Sequence, residues 1–412
     1  MKPRTLVTLG IVLVIVAVLA KFAGTPPARE APGGLKTGAR LFAIDDFNKV
    51  AGITIADGTQ KVELAKSNGK WAIASSWNYP ANFDKVADEL NKYDQLRVGE
   101  AIKAAAKELK EFGLDPAATG DGASKPVIVT LRDADKKELA VFKIGKERNR
   151  PAPGGGMGGY ADSQYVQIGD GPVVLVDQNL GKPGVQGKDW INTQLLQVNA
   201  EQVMDIDVID RDGKSYGLAR NTNMSFYAKQ KADKEELKDE GARNVFGAIS
   251  SLNINDLAGP TGSVKDAFSG SNAMYRATTK DGLVYQIDLG KTTGQTTRYA
   301  HLTVGFTPPP PPPAVAAMPA STNASGTNAV IDLKKIYAQK TAKDKKAADE
   351  LNAAHSPWIY LLDDSATANL MLPREQVIAI PPPPTNAVPA VTNTAPAGTI
   401  VAPPVAIPPA AK

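Results

Sequence analysis

An internal repeat constrains the fold of this 412-residue chain more than any other feature. The stretch that begins at Val50 returns in outline at Val203, with the same turn dipeptide and an aromatic residue at the same place. These matches, all 155 positions apart, are Asp57-Gly58 with Asp212-Gly213 and Trp71 with Phe226. Apolar and polar residues alternate around each glycine turn, which predicts a β-hairpin followed by a third strand. We therefore expect two related folding units.

A helix is expected after the third strand of each copy. In the first copy, apolar residues recur at helical spacing from Phe83 to Tyr93, and Asn82 precedes them as a candidate N-cap. In the second copy, Val245 and Ile249 lie on the corresponding face, and Asp233 is the candidate cap. A shorter helical turn is expected to end near residues 112–113, and another near 268–270.

These patterns together predict an α+β fold. The expected architecture is two tandem repeated modules, each an antiparallel sheet with helices on one face, after one N-terminal transmembrane helix. The expected divisions of the chain are a membrane anchor or signal at 1–24, a flexible tether at 25–40, a first module at 41–192, a second module at 199–377 with a Pro-rich and helical insertion at 307–354, and a disordered Pro/Ala-rich tail at 378–412.

The insertion combines two kinds of sequence. It opens with six consecutive prolines, Pro308 to Pro313, for which a polyproline II rod is the physical expectation. The segment 330–355 then has the composition of a solvated helix, with six lysines and four acidic residues. This charge run is typical of a solvated face, and contact with anionic lipid or an acidic partner is the alternative. The tail from Pro381 to Lys412 has ten prolines and too few large apolar residues to form a core.

The first residues predict the location of the protein. Lys2 and Arg4 precede an apolar run that ends before Lys21, which predicts membrane contact through residues 5–24. Residues 18–20 loosely fit a signal-peptidase site, so a cleaved signal is the alternative to an uncleaved anchor. Either reading places the body outside the cytoplasm. The expected location is the cytoplasmic (inner) membrane, single-pass, with the N-terminus inside and an extracytoplasmic or periplasmic body.

Composition excludes several kinds of site. The chain has no cysteine, which removes disulfides, thiolate metal ligands and cysteine nucleophiles. It has two histidines, too few for a histidine-rich metal centre. The net charge is +4 without a basic stripe, so nucleic acid is not an expected partner. We expect no catalytic residues, no cofactor and no metal, and hence a protein that is not an enzyme.

Several residues invite a chemical reading, and for each a structural role is expected. The glycine-rich stretch 150–160 lacks phosphate-loop spacing and is expected to join two strands. The paired carboxylates lack a third metal ligand. The histidines and the serine pair lack catalytic neighbours. The aromatic residues that could stack on a glycan are expected to pack in the core or at its rim. These residues are Asp45, Asp46, Asp363, Asp364, His301, His355, Ser250, Ser251, Trp77, Tyr79 and Trp190.

The first copy resembles a known family. NGKWAI at 68–73, ELKEFGLDP at 108–116, VFKIGK at 141–146 and PVVLVD at 172–177, together with the helix at 83–96, are similar to the bacterial domain-of-unknown-function family 4340. The resemblance covers about 45–195 and is faint in the second copy. It implies a membrane-anchored, extracytoplasmic protein linked to gliding-motility-type ABC transport systems, and it carries over no active-site residue.

The expected function is therefore a membrane-anchored extracytoplasmic protein-interaction module without enzymatic activity. Its expected partners are membrane-protein complexes such as ABC transporter components, in an accessory role in transport or gliding-motility-like assemblies. The alternative is an envelope adapter that binds the cell wall or glycans. A hydrolase with an unrecognised carboxylate site is a third hypothesis.

Overall fold

A computed structural model describes residues 34–118, 124–151, 159–270, 273–294, 296–311 and 333–380. Within these ranges no helix has both the length and the apolar character needed to cross a membrane. This finding contradicts the predicted single-pass location in the inner membrane. The predicted anchor or signal at 1–24, most of the tether and the tail beyond residue 380 lie outside the described residues.

The first sheet has nine antiparallel strands among the described residues. They are β1 (Gly52–Ala56), β2 (Lys61–Ser67), β3 (Lys70–Ile73), β4 (Tyr79–Pro80), β5 (Val98–Ile102), β6 (Val127–Arg132), β7 (Glu138–Pro151), β8 (Gly159–Ile168) and β9 (Val173–Val176). Their order across the sheet is β4-β3-β2-β1-β6-β7-β8-β9-β5. Helix α1 (Phe83–Gln95) therefore connects the two edge strands.

The second half of the described chain has a second large sheet and two small ones. Its strands are β10 (Gln194–Leu196), β11 (Val203–Ile209), β12 (Ser215–Arg220), β13 (Phe226–Ala228), β14 (Glu236–Leu237), β15 (Leu252–Asn253), β16 (Asp256–Pro260), β17 (Ala273–Thr279), β18 (Leu283–Thr293), β19 (Thr297–Phe306), β20 (Trp358–Asp363) and β21 (Ile378–Ala379). Its helices are α2 (Asp239–Phe246), α3 (Leu333–His355), α4 (Asp364–Thr367) and α5 (Arg374–Val377).

The two large sheets share a strand order. The second sheet runs β13-β12-β11-β17-β18-β19-β20-β16, which matches the first sheet strand for strand apart from β4. The remaining strands form two pairs, β10 with β15 and β14 with β21. The division of the chain at 41–192 and 199–377 remains a prediction.

Aspartate side chains shape the first hairpin of each sheet. Asp57 Oδ1 accepts hydrogen bonds from the amides of Thr59 and Gln60 at 2.8 and 2.7 Å, and these bonds lower the pKa of Asp57. In the second sheet the buried Asp210 accepts from the amides of Asp212 and Lys214, both at 2.9 Å. The predicted hairpins β1–β2 and β11–β12 are therefore confirmed.

The helices agree with the sequence patterns only in part. Asn82 caps α1 as predicted, accepting from the amides of Asp84 and Lys85 at 3.0 and 3.2 Å. Phe83, expected on the buried face, is instead 61% exposed. The predicted cap Asp233 is also wrong, because α2 begins after Lys238 without a side-chain cap.

The predicted α+β class is wrong, because the described chain is dominated by antiparallel sheet. Strands β7 and β8 extend over 14 and 10 residues, whereas α2 has only eight. The turn expected near 112 contains only the short 3-10 helix Ala106–Glu108, and no helix ends near 268 in the described part of the chain. Each sheet is therefore accompanied by limited helix rather than covered by a helical layer.

Candidate interaction site at the seam between the sheets

The turn between β3 and β4 holds a tryptophan in an unusual backbone conformation. Trp77 and Asn78 have φ values of +53° and +58°, in the left-handed region. Asparagine tolerates this region, but a bulky residue there is rare and costs roughly 1–2 kcal/mol. Two backbone hydrogen bonds of 2.9 Å close the turn, from Ser76 N to Ile73 O and from Tyr79 N to Ser76 O. Strain of this kind persists where surrounding contacts impose it, and it concentrates at functional sites.

The indole of Trp77 lies against the edge strand of the second sheet. A Cβ atom added to Gly259 of β16 would lie 3.3 Å from indole atoms Cζ2 and Cη2 and 2.5 Å from Ser263 Oγ. Gly259 has φ +140° and follows a register shift in the pairing of β16 with β20. A glycine is therefore required for this approach of tryptophan to backbone. Even so, Trp77 remains 52% exposed.

Two residues after Trp77, Tyr79 takes part in an aromatic cluster that joins the two sheets. The ring of Tyr79 in β4 lies edge-on to those of Trp358 and Tyr360 in β20, with centroids 5.0 and 6.5 Å away. The Tyr360 hydroxyl lies 3.0 Å from Nδ1 of His355, the last residue of α3. Burial raises the pKa of both tyrosines and lowers the pKa of His355, so neutral side chains are favoured here. This cluster makes the seam a packed junction close in sequence to Trp77.

An open cleft of about 700 Å³ lies further along the same seam. Its lining residues come from α1, from the connection between β9 and β10, and from the segment before β16; they are Lys85, Gly184, Lys188, Asp189, Thr193, Ile254 and Asn255. Asn255 precedes β16 and Gly259 lies within it, so at about 3.3 Å per residue the cleft and Trp77 are about 13 Å apart. The exposed indole and the cleft together form what we call the seam surface.

Hydrogen bonds fix the loop that forms one wall of the cleft. Lys85 Nζ donates to the carbonyl of Asp189 at 2.8 Å, and the amide of Asn82 donates to the carbonyl of Trp190 at 2.7 Å. The indole of Trp190 donates in turn to Gly184 O at 3.0 Å. A lysine ammonium has three donors, so Lys85 keeps donors for an incoming acceptor. The wall is therefore preorganised, with a cation at its surface.

The aromatic residues singled out from the sequence have different environments. Tyr79 and Trp190 are 8% and 4% exposed and pack in the core, as expected. Trp77 is the exception, because a core or rim role does not account for an indole that is half exposed on a strained turn. A signal was present in the sequence: Trp77 lies in a short link between two strands and precedes an asparagine, a residue that favours left-handed backbone.

Three of the four paired aspartates have structural contacts. Asp46 accepts from Asn48 N and Asp363 from Ser365 N, so both cap short helices, while Asp364 pairs with Arg298 at 3.0 Å. The glycine-rich stretch lies mostly outside the described residues, at 152–158, between the paired strands β7 and β8. Among the described residues, no three histidine, aspartate or glutamate side chains form a group that could hold a metal ion.

His301 belongs to a small polar cluster on β19. Its Nδ1 lies 3.9 Å from Asp288 Oδ2, and its Nε2 lies 2.9 Å from the carbonyl of Ser356. The interaction with Asp288 raises the pKa of His301, and the same interaction lowers the pKa of Asp288. Ser250 and Ser251 follow α2 and do not lie on a strand-to-helix turn. None of these residues lines the seam surface.

Comparison with known proteins connects the seam to a family. No curated protein and no solved structure matches this chain. One family model matches residues 71–272, from the start of β3 to a point beyond β16, a range that includes Trp77, Gly259 and all residues lining the cleft. The match begins and ends later than the resemblance expected at 45–195. The family is described as a domain of unknown function, DUF4340, and residues 71–272 match its model.

Proposed function

We propose that this chain is a non-enzymatic protein-interaction module that binds its partner at the seam surface. The observation that carries the proposal is Trp77, a half-exposed indole on a strained turn that lies against Gly259 of the second sheet. Tryptophan is enriched among the residues that dominate binding energy in protein interfaces. Backbone strain at this position is also typical of a site maintained for function rather than for stability.

The charges along the seam indicate the chemistry of the partner. Lys85 and Lys188 line the cleft together with Asp189, so positive charge is in excess there. A partner segment that places an apolar side chain on Trp77 and a carboxylate in the cleft, about 13 Å away, would match both parts of the seam surface. A segment of four or five extended residues spans this distance. The family resemblance makes components of ABC-type transport or gliding-motility-like assemblies the first candidates.

The proposal is tested by affinity purification from the native host with three versions of the full chain. Trp77→Gly removes the indole and suits the left-handed backbone, so the turn is retained. Asn91→Gly, on the exposed face of α1, is the matched control. We expect a stoichiometric partner with the native chain and with Asn91→Gly, and its loss with Trp77→Gly. Equal recovery of the partner by all three versions contradicts the proposed surface.

One observation favours a second candidate, a glycan-binding adapter of the cell wall. The cleft presents hydroxyl, amide and charged groups, through Thr193, Asn255 and Lys188, on the same seam as an exposed indole. Sites that combine an apolar face with a few placed polar groups are common for small ligands. Retention of the native chain on purified cell-wall material, lost in Trp77→Gly and kept when residues 379–412 are removed, supports this candidate. Retention that depends on the tail alone contradicts it.

A further inference from the structure

The proline run in the insertion has one accessible backbone form. The pyrrolidine ring fixes φ near −65°, and a residue that precedes proline is driven to extended ψ values. In the described part of the run, Pro308–Pro311, every residue is a proline followed by a proline in the sequence, so this part forms a left-handed polyproline II rod with three residues per turn. Such a rod makes no internal hydrogen bonds and loses little conformational entropy when it is bound.

The beginning of the rod is attached to the second sheet at two points. The amide of Thr307 donates to Gly282 O at 2.8 Å, in the turn between β17 and β18. Gly282, with φ +89°, leaves no room for a side chain, because a Cβ there would collide with Thr307 O and lie 3.1 Å from Pro309 Cδ. From the other side, the hydroxyl of Tyr337 in α3 donates to Pro309 O at 2.7 Å. The fold therefore holds the rod in a defined place.

These attachments use one face of the rod and leave two faces free. With three residues per turn, Pro308 and Pro311 lie on one face, while Pro309 and Pro310 lie on the other two. Pro309 is half-buried against Tyr337 and Gly282, whereas Pro308, Pro310 and Pro311 are exposed. The outward faces thus present proline rings together with carbonyl oxygens that no intra-rod hydrogen bond occupies.

We infer that Pro308–Pro311 is a docking ligand for a partner protein whose groove is lined with aromatic side chains. Such grooves bind polyproline II segments through stacked prolines and donate hydrogen bonds to the carbonyls of the rod. The partner that binds the rod differs in chemistry from the partner of the seam surface, since the first needs aromatic rings and the second a carboxylate. This inference does not depend on the proposed function, and either can fail alone.

The experiment measures binding of the full chain to a purified aromatic-groove domain. The probe is a WW, SH3 or EVH1 domain chosen because it binds a free hexaproline peptide. The double variant Pro310→Ala/Pro311→Ala removes rings from both outward faces, and Pro309→Ala removes one ring from the attached face. We expect the native chain to compete with the peptide, the double variant to bind about 10-fold more weakly, and Pro309→Ala to stay within about 3-fold of native.

Two results would overturn the inference. One is failure of the native chain to bind a domain that binds the free peptide, which would show that the fold hides the rod. The other is equal weakening by the double variant and Pro309→Ala, which would show that the outward faces are not the ones bound. Circular dichroism of each variant checks that the sheets are intact, so a lost interaction is assigned to the rod.

Discussion

Replacing Trp77 by glycine and by alanine separates backbone strain from packing at the seam. Both substitutions remove the same indole contacts with Gly259, so that loss is common to the two variants. Since 52% of the side chain is exposed, about half of a tryptophan's roughly 250 Å² is buried, or about 120 Å². At about 25 cal/mol per Å², this burial contributes at most about 3 kcal/mol to the free energy of unfolding.

The difference between the two variants reports the backbone alone. At φ +53° an alanine keeps the steric cost of a Cβ atom, and a glycine has none. Because left-handed backbone costs an L-residue roughly 1–2 kcal/mol and glycine gains flexibility in the unfolded chain, we expect Trp77→Gly to be more stable than Trp77→Ala by about 1 kcal/mol. This order is the reverse of that in regular secondary structure.

Urea unfolding followed by far-ultraviolet circular dichroism measures both variants. The matched control is Asn91, an exposed position inside α1, where Asn91→Ala should be more stable than Asn91→Gly by about 1 kcal/mol. An alanine variant at position 77 that equals or exceeds the glycine variant in stability would refute the left-handed turn and the strain argument built on it.

Three further predictions concern the seam, the first core and the polar cluster on β19. Gly259→Ala should lower the free energy of unfolding by about 1–3 kcal/mol and shift the tryptophan fluorescence, because the new Cβ lies 3.3 Å from the indole of Trp77. Unchanged stability and emission would contradict this contact. Burial, with the carboxylate of buried Glu89 nearby, raises the pKa of the Tyr93 hydroxyl, so Tyr93→Phe should lower the free energy of unfolding by about 1 kcal/mol because the carboxylate loses a donor; unchanged urea unfolding would contradict this interaction. Asp288 raises the pKa of His301, so the contribution of this pair to the free energy of unfolding is complete below the ordinary pKa of 6.5 and is lost as pH rises through the higher folded pKa. The difference in free energy of unfolding between the native chain and His301→Gln should therefore shrink over that range. A difference that stays constant would contradict the interaction.

Local sequence signals predict local structure well in this chain. The aspartate-glycine turns indicate hairpins because the carboxylate bonds the next amides, and Asn82 indicates the start of α1 for a similar reason. Polar–apolar alternation also locates strands correctly, as in β11 and β17. Such signals act over a few residues, so a single sequence reveals them.

The class of the fold is harder to predict than its elements. Periodicity does not show how far a strand continues, and β7 continues to Pro151 because β8 pairs with it along most of its length. The exposure of Phe83 likewise depends on which surface α1 meets, since helical spacing alone places this residue on the buried face. Long-range pairing overrides local preference in both cases.

The seam surface depends on contacts between residues far apart in the chain. Trp77 meets Gly259, and Lys85 and Asn255 line the same cleft, yet nothing in either local sequence indicates the other. Glycine is required at position 259 because the indole of Trp77 lies against its backbone, and this contact is not visible in the sequence. The polyproline rod is the opposite case, because proline stereochemistry alone determines its form, while its orientation depends on Tyr337.

Photocrosslinking at position 77 in living cells tests the central claim, that the seam surface is where a partner protein binds. A photoreactive phenylalanine derivative replaces Trp77 in one version of the chain and Asn91 in another. We expect one discrete adduct of the chain with a second protein from position 77 and none from position 91. Absence of an adduct at position 77, or the same adducts from both positions, would contradict it.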